Sequence, residues 1–405
     1  MRKLINPSFK SNVLASFGEN FRSHSKIFME TLQRHAADEK EFDVFVPAHL
    51  CAIDFLCENM MGCQMDVQWK NLTHLSHNLM KSTEMIFERS FSVLQWSDLI
   101  YSLIGKQRTL DETTSGLRAF AREMLERQIE RRKELRNLNL EAGDHVQNFM
   151  EILLNNLETG NMTLDRAIEE ATEMIIAGSI TTATTIAWIL KIVAMRPDIQ
   201  KEAYHELLET CETSRRNEIN LEDLSKLTYL DMVVKEALRH FAVPFVGRHI
   251  VRDVKVDEKT TIPVGVQVLM VIFGLHHDPE HWEKPGEFYP EHFLPKNEMN
   301  RSKGTFAPFL SGPRVCPGNK YGMQSMKFLL ANTILKYEFT TDEVPPKDFR
   351  DENYRIIYML HPTSGFRVRV NRRPKTQITQ TGLACGNKLK ISEFDIIRAA
   401  KYSRK

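Results

Sequence analysis

The stretch from Leu164 to Met195 constrains the fold of this chain more than any other part of it, because it contains no proline and keeps a helical rhythm throughout. Thr163 is in position to cap the helix, Asp165 falls in its first turn, and Pro197 lies just beyond its end. An average helix in a globular protein has only about 11–12 residues. The sequence therefore predicts one long central helix that crosses a mainly helical domain.

Weaker patterns place other elements around this helix. Apolar residues recur at helical spacing over residues 41–62, 110–135, 197–211, 227–241 and 319–337. Residues 243–269 mix β-branched runs with turn signals, and residues 365–370 alternate, so both segments are predicted to form short strands. The proline-rich residues 279–308 lack a period and are predicted to be irregular but packed. The predicted fold class is mainly α with a small β portion.

Composition excludes several classes of protein. The 54 basic and 53 acidic residues give a net charge of +1, whereas a nucleic-acid-binding domain normally carries a basic excess. The six cysteines form no Cys-x-x-Cys pair, which argues against a zinc ribbon or a redox dithiol and favours free thiols in a reducing compartment. The sequence shows no run of roughly 18 apolar residues that would predict a membrane span, and no signal peptide at its start.

One cysteine stands in a setting that favours its anionic form. The usual fate of a free cysteine is a buried core position. Cys316, however, lies between Gly312 and Gly318, with Arg314 two residues before it, and Pro317 is positioned to open a following helix. A nearby cation and a helix N-terminus both lower the pKa of a thiol, and the thiolate is the form that binds metals. The pattern Phe-x-x-Gly-x-Arg-x-Cys-x-Gly therefore predicts that Cys316 is a metal ligand.

This run resembles the haem-binding loop of the cytochrome P450 family, the haem-thiolate monooxygenases. Residues 236–239 resemble the Glu-x-x-Arg of helix K in that family, residues 288–293 its Pro-Glu-Arg-Phe segment, and residues 177–182 the oxygen-activating stretch of helix I. The likeness is closest to the insect branch near the fatty-acid-hydroxylase families. It implies the cytochrome P450 fold over residues 1–373, with the long helix above the haem. Residues 374–405 are left as a polar, basic tail that we expect to be disordered.

The resemblance implies a haem b whose iron is ligated by the thiolate of Cys316. The remaining cofactor contacts that it implies are arginines for the propionates, an aromatic ring on the proximal side near the sulfur, and a glycine that lets the flat cofactor approach the main chain. These residues are Arg314, Arg248, Arg2, Phe309 and Gly318. Guanidinium groups suit the propionates because they donate paired hydrogen bonds to a carboxylate.

In the resembled family, a threonine hydroxyl and a neighbouring acid on helix I deliver protons to bound dioxygen. Thr181 and Thr182 match the hydroxyl positions, and Gly178 is expected to permit close approach to the haem. Ile180 stands where the acid should be, and an aliphatic side chain cannot relay a proton. The alternative is that both threonines only hydrogen bond to the preceding helical turn. Alanine at position 177 excludes the ester to haem that a glutamate forms there in some relatives.

An acid–arginine pair is expected to support the haem loop. Glu236 and Arg239 are three residues apart, so they share one face of a helix whose apolar flanks predict burial. An isolated pair of this kind is usually an exposed ion pair of little energetic value. In the family a further arginine completes the network, but this chain has His292 at that position, which donates fewer hydrogen bonds.

The function implied by the resemblance is insertion of one oxygen atom from O2 into an apolar molecule: a fatty acid, a hormone or a foreign compound. Electrons would come from NADPH through cytochrome P450 reductase, docked near Lys320 and Lys327, with cytochrome b5 as a further donor. The family is located on the cytosolic face of the endoplasmic reticulum membrane, and its members carry an anchor and a first portion that we expect this chain to lack. The alternatives are a haem-thiolate isomerase or dehydratase that does not use O2, and a truncated remnant without catalytic activity.

Overall fold

The structure is a computed structural model that describes residues 5–138 and 148–374. Arg2 and the tail from residue 375 onward therefore lie outside the described residues, and the predictions made for them stay predictions. Met1–Pro374 forms one compact unit. The predicted fold class is confirmed, since helices dominate and the strands are short.

The helices account for most of the described chain. In chain order they are α1 (Ser11–Ala15), α2 (Gly18–Asp38), α3 (Phe45–Asn59), α4 (Thr73–Phe91), α5 (Asp98–Leu103), α6 (Lys106–Asn137), α7 (Phe149–Glu158), α8 (Leu164–Met195), α9 (Pro197–Ser214), α10 (Thr228–Phe241), α11 (Ile272–His276), α12 (Pro295–Asn300) and α13 (Asn319–Lys336). Short 3-10 turns occur at Asn6–Phe9, Val93–Trp96, Leu221–Ser225, Pro290–Phe293 and Gly312–Arg314.

The strands form small antiparallel sheets. They are β1 (Phe42–Asp43), β2 (Phe245–His249), β3 (Val254–Lys255), β4 (Thr261–Ile262), β5 (Gln267–Val271), β6 (Tyr337–Thr340), β7 (Tyr354–Ile357), β8 (Met359–Pro362) and β9 (Arg367–Arg372). The largest described sheet has the order β1-β9-β6, and β2-β5, β3-β4 and β7-β8 are two-stranded. The register pairs Phe245 with Val271 and Phe339 with Val370. The strands β6, β8 and β9 add buried residues to the helical core, among them Phe339, Leu360 and Val368.

Helix α8 is the centre of the core, as predicted. Its N-terminus is capped by Thr163, whose side-chain oxygen accepts a hydrogen bond from the backbone N–H of Arg166 at 3.3 Å. Every residue from Thr182 to Met195 is buried, and the indole of Trp188 stacks on Phe241 of α10 with ring centroids 3.8 Å apart. Helix α8 contacts α3, α6, α10 and α13, and its C-terminal half is enclosed by protein.

Among the described residues, α8 is also the one helix that is long and apolar enough to cross a membrane by length and composition. However, 78% of its most apolar window is buried inside the protein. Its apolar side chains are therefore already used in packing against neighbouring helices, as in the core helix of a globular domain.

The segment after α11 is irregular but packed, as predicted. Between Pro279 and Pro308 it contains only the short turn Pro290–Phe293 and helix α12. It nevertheless buries Trp282, Phe288 and Phe293, each at most 2% exposed. Such a segment is held by its side chains and not by regular backbone hydrogen bonds, so the residues that anchor it matter for the loop that follows.

Candidate functional site

The loop around Cys316 places its thiol at the surface of the protein. The backbone N–H of Cys316 donates a hydrogen bond to the carbonyl of Phe309 at 2.9 Å, which closes the loop. Leu310 and Gly312 have φ angles of 62° and 75°, so the chain turns sharply between the two ends of that hydrogen bond. At Gly318 an added Cβ would lie 3.9 Å from the sulfur and 3.9 Å from the ring of Phe9, so Gly318 lies directly beside the thiol.

The other described cysteines lie in a different environment. Cys51, Cys57, Cys63 and Cys211 are all buried, whereas Cys316 is exposed. Burial raises the thiol pKa of each of the four buried cysteines, to about 11 for Cys211. These four are packing residues that remain protonated. Cys316 is the described cysteine that is accessible to a metal from outside the core.

Two of the predicted propionate ligands are available cations. Arg314 is exposed, and its guanidinium makes no hydrogen bond or ion pair within the described chain. Arg248, on strand β2, is half-buried and donates from Nη1 only to the neighbouring carbonyl of Gly247, at 2.8 Å. Neither side chain is neutralised by an acid of the described chain, so both can bind a carboxylate supplied by a ligand.

The two threonines of α8 differ in exposure. Thr181 Oγ1 donates to the carbonyl of Ala177 at 2.8 Å, and Thr182 Oγ1 donates to the carbonyl of Gly178 at 2.9 Å. Ala177 is exposed and Thr181 is partly exposed, whereas Thr182 is buried. Both hydroxyls thus bond back to the preceding turn. Thr181, together with Ala177, lines the open side of the helix.

The structure gives a further reason for a glycine at position 178. A Cβ at Gly178 would lie 2.5 Å from Cδ1 of Leu56, which belongs to α3. The missing side chain therefore lets two core helices approach closely, and the expected approach of Gly178 to the haem stays a prediction. Ile180, at the position of the family's acid, is completely buried in the core.

One phenol near the thiol was not identified from the sequence. Tyr358 lies in the tight turn between β7 and β8 with a φ angle of 64°, and its ring centroid is 5.9 Å from that of Phe87 on α4. Burial raises the pKa of Tyr358, and the negative charge of Cys316 raises it further. The hairpin turn therefore brings an aromatic hydroxyl close to the loop. The turn depends on the positive φ angle of Tyr358, which the sequence does not indicate.

The pair Glu236 and Arg239 is completely buried, and the guanidinium is fully used. Arg239 Nη2 and Nε lie 2.8 and 2.9 Å from the two carboxylate oxygens of Glu236. Arg239 Nη1 donates to the carbonyls of His276 and Pro285, at 2.7 and 2.8 Å, and Nη2 donates to that of Glu287 at 3.0 Å. The arginine thus joins α10 to two points of the irregular segment that precedes the Cys316 loop.

The structure brings His292 to the same carboxylate. His292 Nδ1 lies 3.2 Å from Oε1 of Glu236, which also accepts the backbone N–H of Tyr289 at 2.8 Å. Burial alone would raise the pKa of Glu236, but the charge of Arg239 and the hydrogen bonds to its oxygens hold it well below its ordinary value. Glu236 therefore remains ionised and holds the turn that carries His292.

A further histidine connects this network to the loop. His276, 1% exposed, faces the carbonyl of Arg239 with Nδ1 at 3.0 Å and receives the backbone N–H of Ala307 at Nε2 at 2.9 Å. Ala307 lies two residues before Phe309. No local sequence signal identifies His276, because the groups that it joins lie 37 and 31 residues away along the chain.

The structure separates the two lysines expected to contact a reductase. Lys320 is exposed at the start of α13, close to the Cys316 loop. Lys327 is only 8% exposed, and its ammonium bonds to Asp231 at 2.9 Å and to the carbonyl of Leu227 at 3.3 Å. The expectation for Lys327 is therefore wrong, since a buried and paired lysine is not available to a partner.

The donor set fits a haem. No group of three or more His, Cys, Asp or Glu side chains that could hold a metal occurs among the described residues, so Cys316 would be a lone protein ligand. A metal held by one protein ligand needs a macrocycle to complete its coordination, and a thiolate is a haem ligand. Arg314 and Arg248 offer two cations without an acidic partner in the described chain for two propionates, and Ala177 on α8 is exposed.

Comparison with known proteins agrees with this fit. The family model described as Cytochrome P450 matches residues 1–368. The chain is 28% identical over 383 residues to cytochrome P450 4V2 of Rattus norvegicus, which covers 92% of this chain and 71% of the relative. It is 29% identical over 385 residues to the Homo sapiens protein of the same name, with the same coverage. It is 28% identical over 386 residues to "Probable cytochrome P450 4s3" of Drosophila melanogaster, covering 93% and 74%.

Proposed function

The chain belongs to the cytochrome P450 family, whose members are haem-thiolate monooxygenases, and from this premise we propose that it inserts one oxygen atom of O2 into an apolar small molecule. The observation that carries the proposal is the exposed thiol of Cys316 at the head of α13, in a described chain whose other cysteines are buried. The substrate classes in question are fatty acids, hormones and foreign compounds.

The chain's own residues have distinct roles in this proposal. Cys316 holds the iron, and its anion is favoured by the N-terminal end of α13. Arg314 and Arg248 bind the propionates, and Phe309 packs on the side of the sulfur. When bound, the haem supplies the oxygen chemistry, to which a thiolate ligand donates electron density that favours O–O cleavage.

Thr181 is the proposed proton carrier on α8. Its hydroxyl lies on the open side of the helix, and it needs only to rotate away from the Ala177 carbonyl to donate elsewhere. Thr182 supports that turn from its buried position. Ile180 supplies no acid and is enclosed in the core, so the second proton must reach Thr181 through water and not through its neighbouring residue.

The proposed electron donor is an NADPH-dependent cytochrome P450 reductase, with cytochrome b5 as a second donor. Lys320 is the cation proposed to contact it, since the side chain is exposed at the start of the helix that follows Cys316. The proposed location is the cytosolic face of the endoplasmic reticulum membrane, by analogy with the family.

A second candidate function follows from the burial of Ile180. Without an acid beside Thr181, the site is suited to a substrate that already contains an O–O bond, so a hydroperoxide isomerase or dehydratase is the alternative. It uses the same thiolate and needs neither O2 nor reductase. The third possibility, a chain that binds no haem, has no supporting observation in the Cys316 loop.

The test compares two reactions of the haem-loaded chain. With reductase, NADPH and isotopically labelled O2, the monooxygenase predicts labelled hydroxylated product from a panel of fatty acids, steroids and aromatic compounds. The Thr181→Ala variant is expected to release more peroxide per NADPH and to lose product, by about 10²-fold, whereas Thr172→Ala is a matched control. Turnover of a fatty-acid hydroperoxide without NADPH, and none with O2, would establish the second function instead.

A further inference from the structure

The histidine at position 292 leaves the irregular segment with an incomplete anchor. His292 is 3% exposed, and its Nδ1 faces Glu236 at 3.2 Å, but its Nε2 is buried without a hydrogen-bond partner in the described chain. A neutral imidazole has a single N–H to donate, so it cannot bind the carboxylate and a backbone carbonyl together. Glu236 holds the backbone N–H of Tyr289 at one end of the turn, and a donor from elsewhere can fix the carbonyl of His292.

Arg301 is placed to do so. It follows helix α12, and its Nη2 donates a hydrogen bond to the carbonyl of His292 at 2.5 Å. Its guanidinium carbon lies 3.9 Å from the ring centroid of Trp282 and 5.1 Å from that of Phe293. A guanidinium at such distances over an indole face is attracted by the ring, and Trp is the ring that binds cations best.

Trp282 is shared by two guanidinium groups. Arg239, from α10, lies 4.9 Å from the centroid of the same indole, which is 1% exposed. The indole N–H is fixed by the carbonyl of Leu275 at 3.2 Å. Trp282 therefore links the buried Glu236–Arg239 pair to Arg301 and holds the second cation beside the first.

The positive charge of Arg301 interacts with the carboxylate of Glu236. Burial has the largest effect and lowers the pKa of the Arg301 guanidinium. The negative charges of Glu298 and Glu236 raise this pKa, and the positive charge of Arg239 lowers it further. An arginine stays protonated despite such a shift. Arg301 thus adds a positive charge near Glu236 without displacing Arg239.

The contacts of Trp282 and Phe293 continue to the Cys316 loop. The ring of Phe306 lies 4.7 Å from that of Phe293 and 6.2 Å from that of Trp282, centroid to centroid. Phe306 is followed by Ala307, whose N–H is held by His276. A displacement of the two rings under Arg301 would therefore shift the start of the loop that presents the thiol.

We propose that Arg301 is a positioning residue that fixes the His292 turn and the Trp282 ring, and that it supplies from outside the turn the guanidinium that residue 292 does not provide. The inference rests on the proposed function insofar as the positioned loop holds haem. The claim that Arg301 orders residues 279–308 applies to the haem-free protein as well.

The experiment measures haem loss and proteolysis in four variants. Arg301→Ala is expected to increase the rate of haem transfer to a haem-scavenging protein by about tenfold, since it removes a cation–π contact and a hydrogen bond from a charged donor. Arg301→Lys should recover little, because an ammonium lacks the flat fork that both stacks and donates. Arg108→Ala, at an exposed arginine paired with Glu112, is the matched control and should change nothing.

The decisive variant combines Arg301→Ala with His292→Arg. If Arg301 supplies the guanidinium absent at 292, the double variant should retain haem within about twofold of the parent, although Arg301→Ala alone does not. Haem loss as fast as in Arg301→Ala would overturn the proposal, as would full recovery by lysine. If the parent chain takes up no haem, the proposed function fails, but limited proteolysis of the haem-free variants still reports whether Arg301 orders residues 279–308.

Discussion

The backbone N–H of Ala307 donates a hydrogen bond to Nε2 of His276 at 2.9 Å, and this contact holds the approach to the Cys316 loop. The opposite nitrogen of the ring faces the carbonyl of Arg239 at 3.0 Å and must therefore carry the proton. The two hydrogen bonds together require a neutral imidazole. Burial lowers the pKa of His276 to about 4, in agreement with that requirement.

This histidine predicts a loss of stability in mild acid. An unfolded histidine has its usual pKa of about 6.5, so the unfolded chain takes up a proton first as the pH falls. The contribution of neutral His276 is complete above about pH 6.5 and declines as the pH falls toward 4. Relative to His276→Gln, which does not titrate, the free energy of unfolding of the parent should fall by roughly 2 kcal/mol between pH 7 and pH 5.

Urea unfolding at a series of pH values measures this difference. The control is His77→Gln, which makes the same substitution at an exposed histidine. If the difference in free energy of unfolding between the parent and His276→Gln did not change with pH, the imidazole would not be held neutral. The hydrogen bond from Ala307 to Nε2 would then not hold the approach to the loop.

The burial of Ile180 predicts that an acid cannot simply be restored there. Ile180→Asp would place a carboxyl in a site that is completely buried, and we expect a loss of at least about 3 kcal/mol in the free energy of unfolding. Ile180→Val, the matched control, should cost about 1 kcal/mol. Thermal and urea unfolding of the two variants make the comparison. If Ile180→Asp were as stable as Ile180→Val, water would have to reach position 180, and the proton path assigned to Thr181 would need revision.

The close approach of α8 and α3 predicts a strong effect of one methyl group. Gly178→Ala brings a Cβ to 2.5 Å from Cδ1 of Leu56, and relief of that overlap should cost about 1–3 kcal/mol. Gly247→Ala is the control, since nothing lies within 4 Å of the added Cβ and no positive φ is involved. Unfolding by urea should separate the two. A Gly178→Ala variant as stable as Gly247→Ala would contradict the close approach of the two helices at this position.

Local sequence signals predicted the elements that local chemistry determines. The predicted extent of α8, from Leu164 to about Met195, is confirmed because Thr163 caps the helix and Pro197 follows its end. The burial of Glu236 and Arg239 followed from the apolar flanks of α10. Both are effects of neighbours within a few residues, which a single sequence displays directly.

Contacts between distant parts of the chain could not be predicted in this way. Leu56 occupies the space beside Gly178 although it lies more than a hundred positions earlier, and Asp231 neutralises Lys327 from another helix. The role of Arg301 depends on Trp282, with no periodic pattern to relate the two residues. Tertiary packing decides each of these contacts, and at Lys327 it overrides the local expectation that a lysine is exposed.

The most direct test of the central claim is the absorption spectrum of the dithionite-reduced, haem-reconstituted chain with carbon monoxide. If Cys316 is the thiolate ligand, the parent should show the red-shifted Soret band of a haem thiolate. Cys316→Ser should lose that band, while Cys211→Ser, at a buried cysteine, should keep it. A parent without haem uptake, or a red-shifted band that survives in Cys316→Ser, would contradict the account.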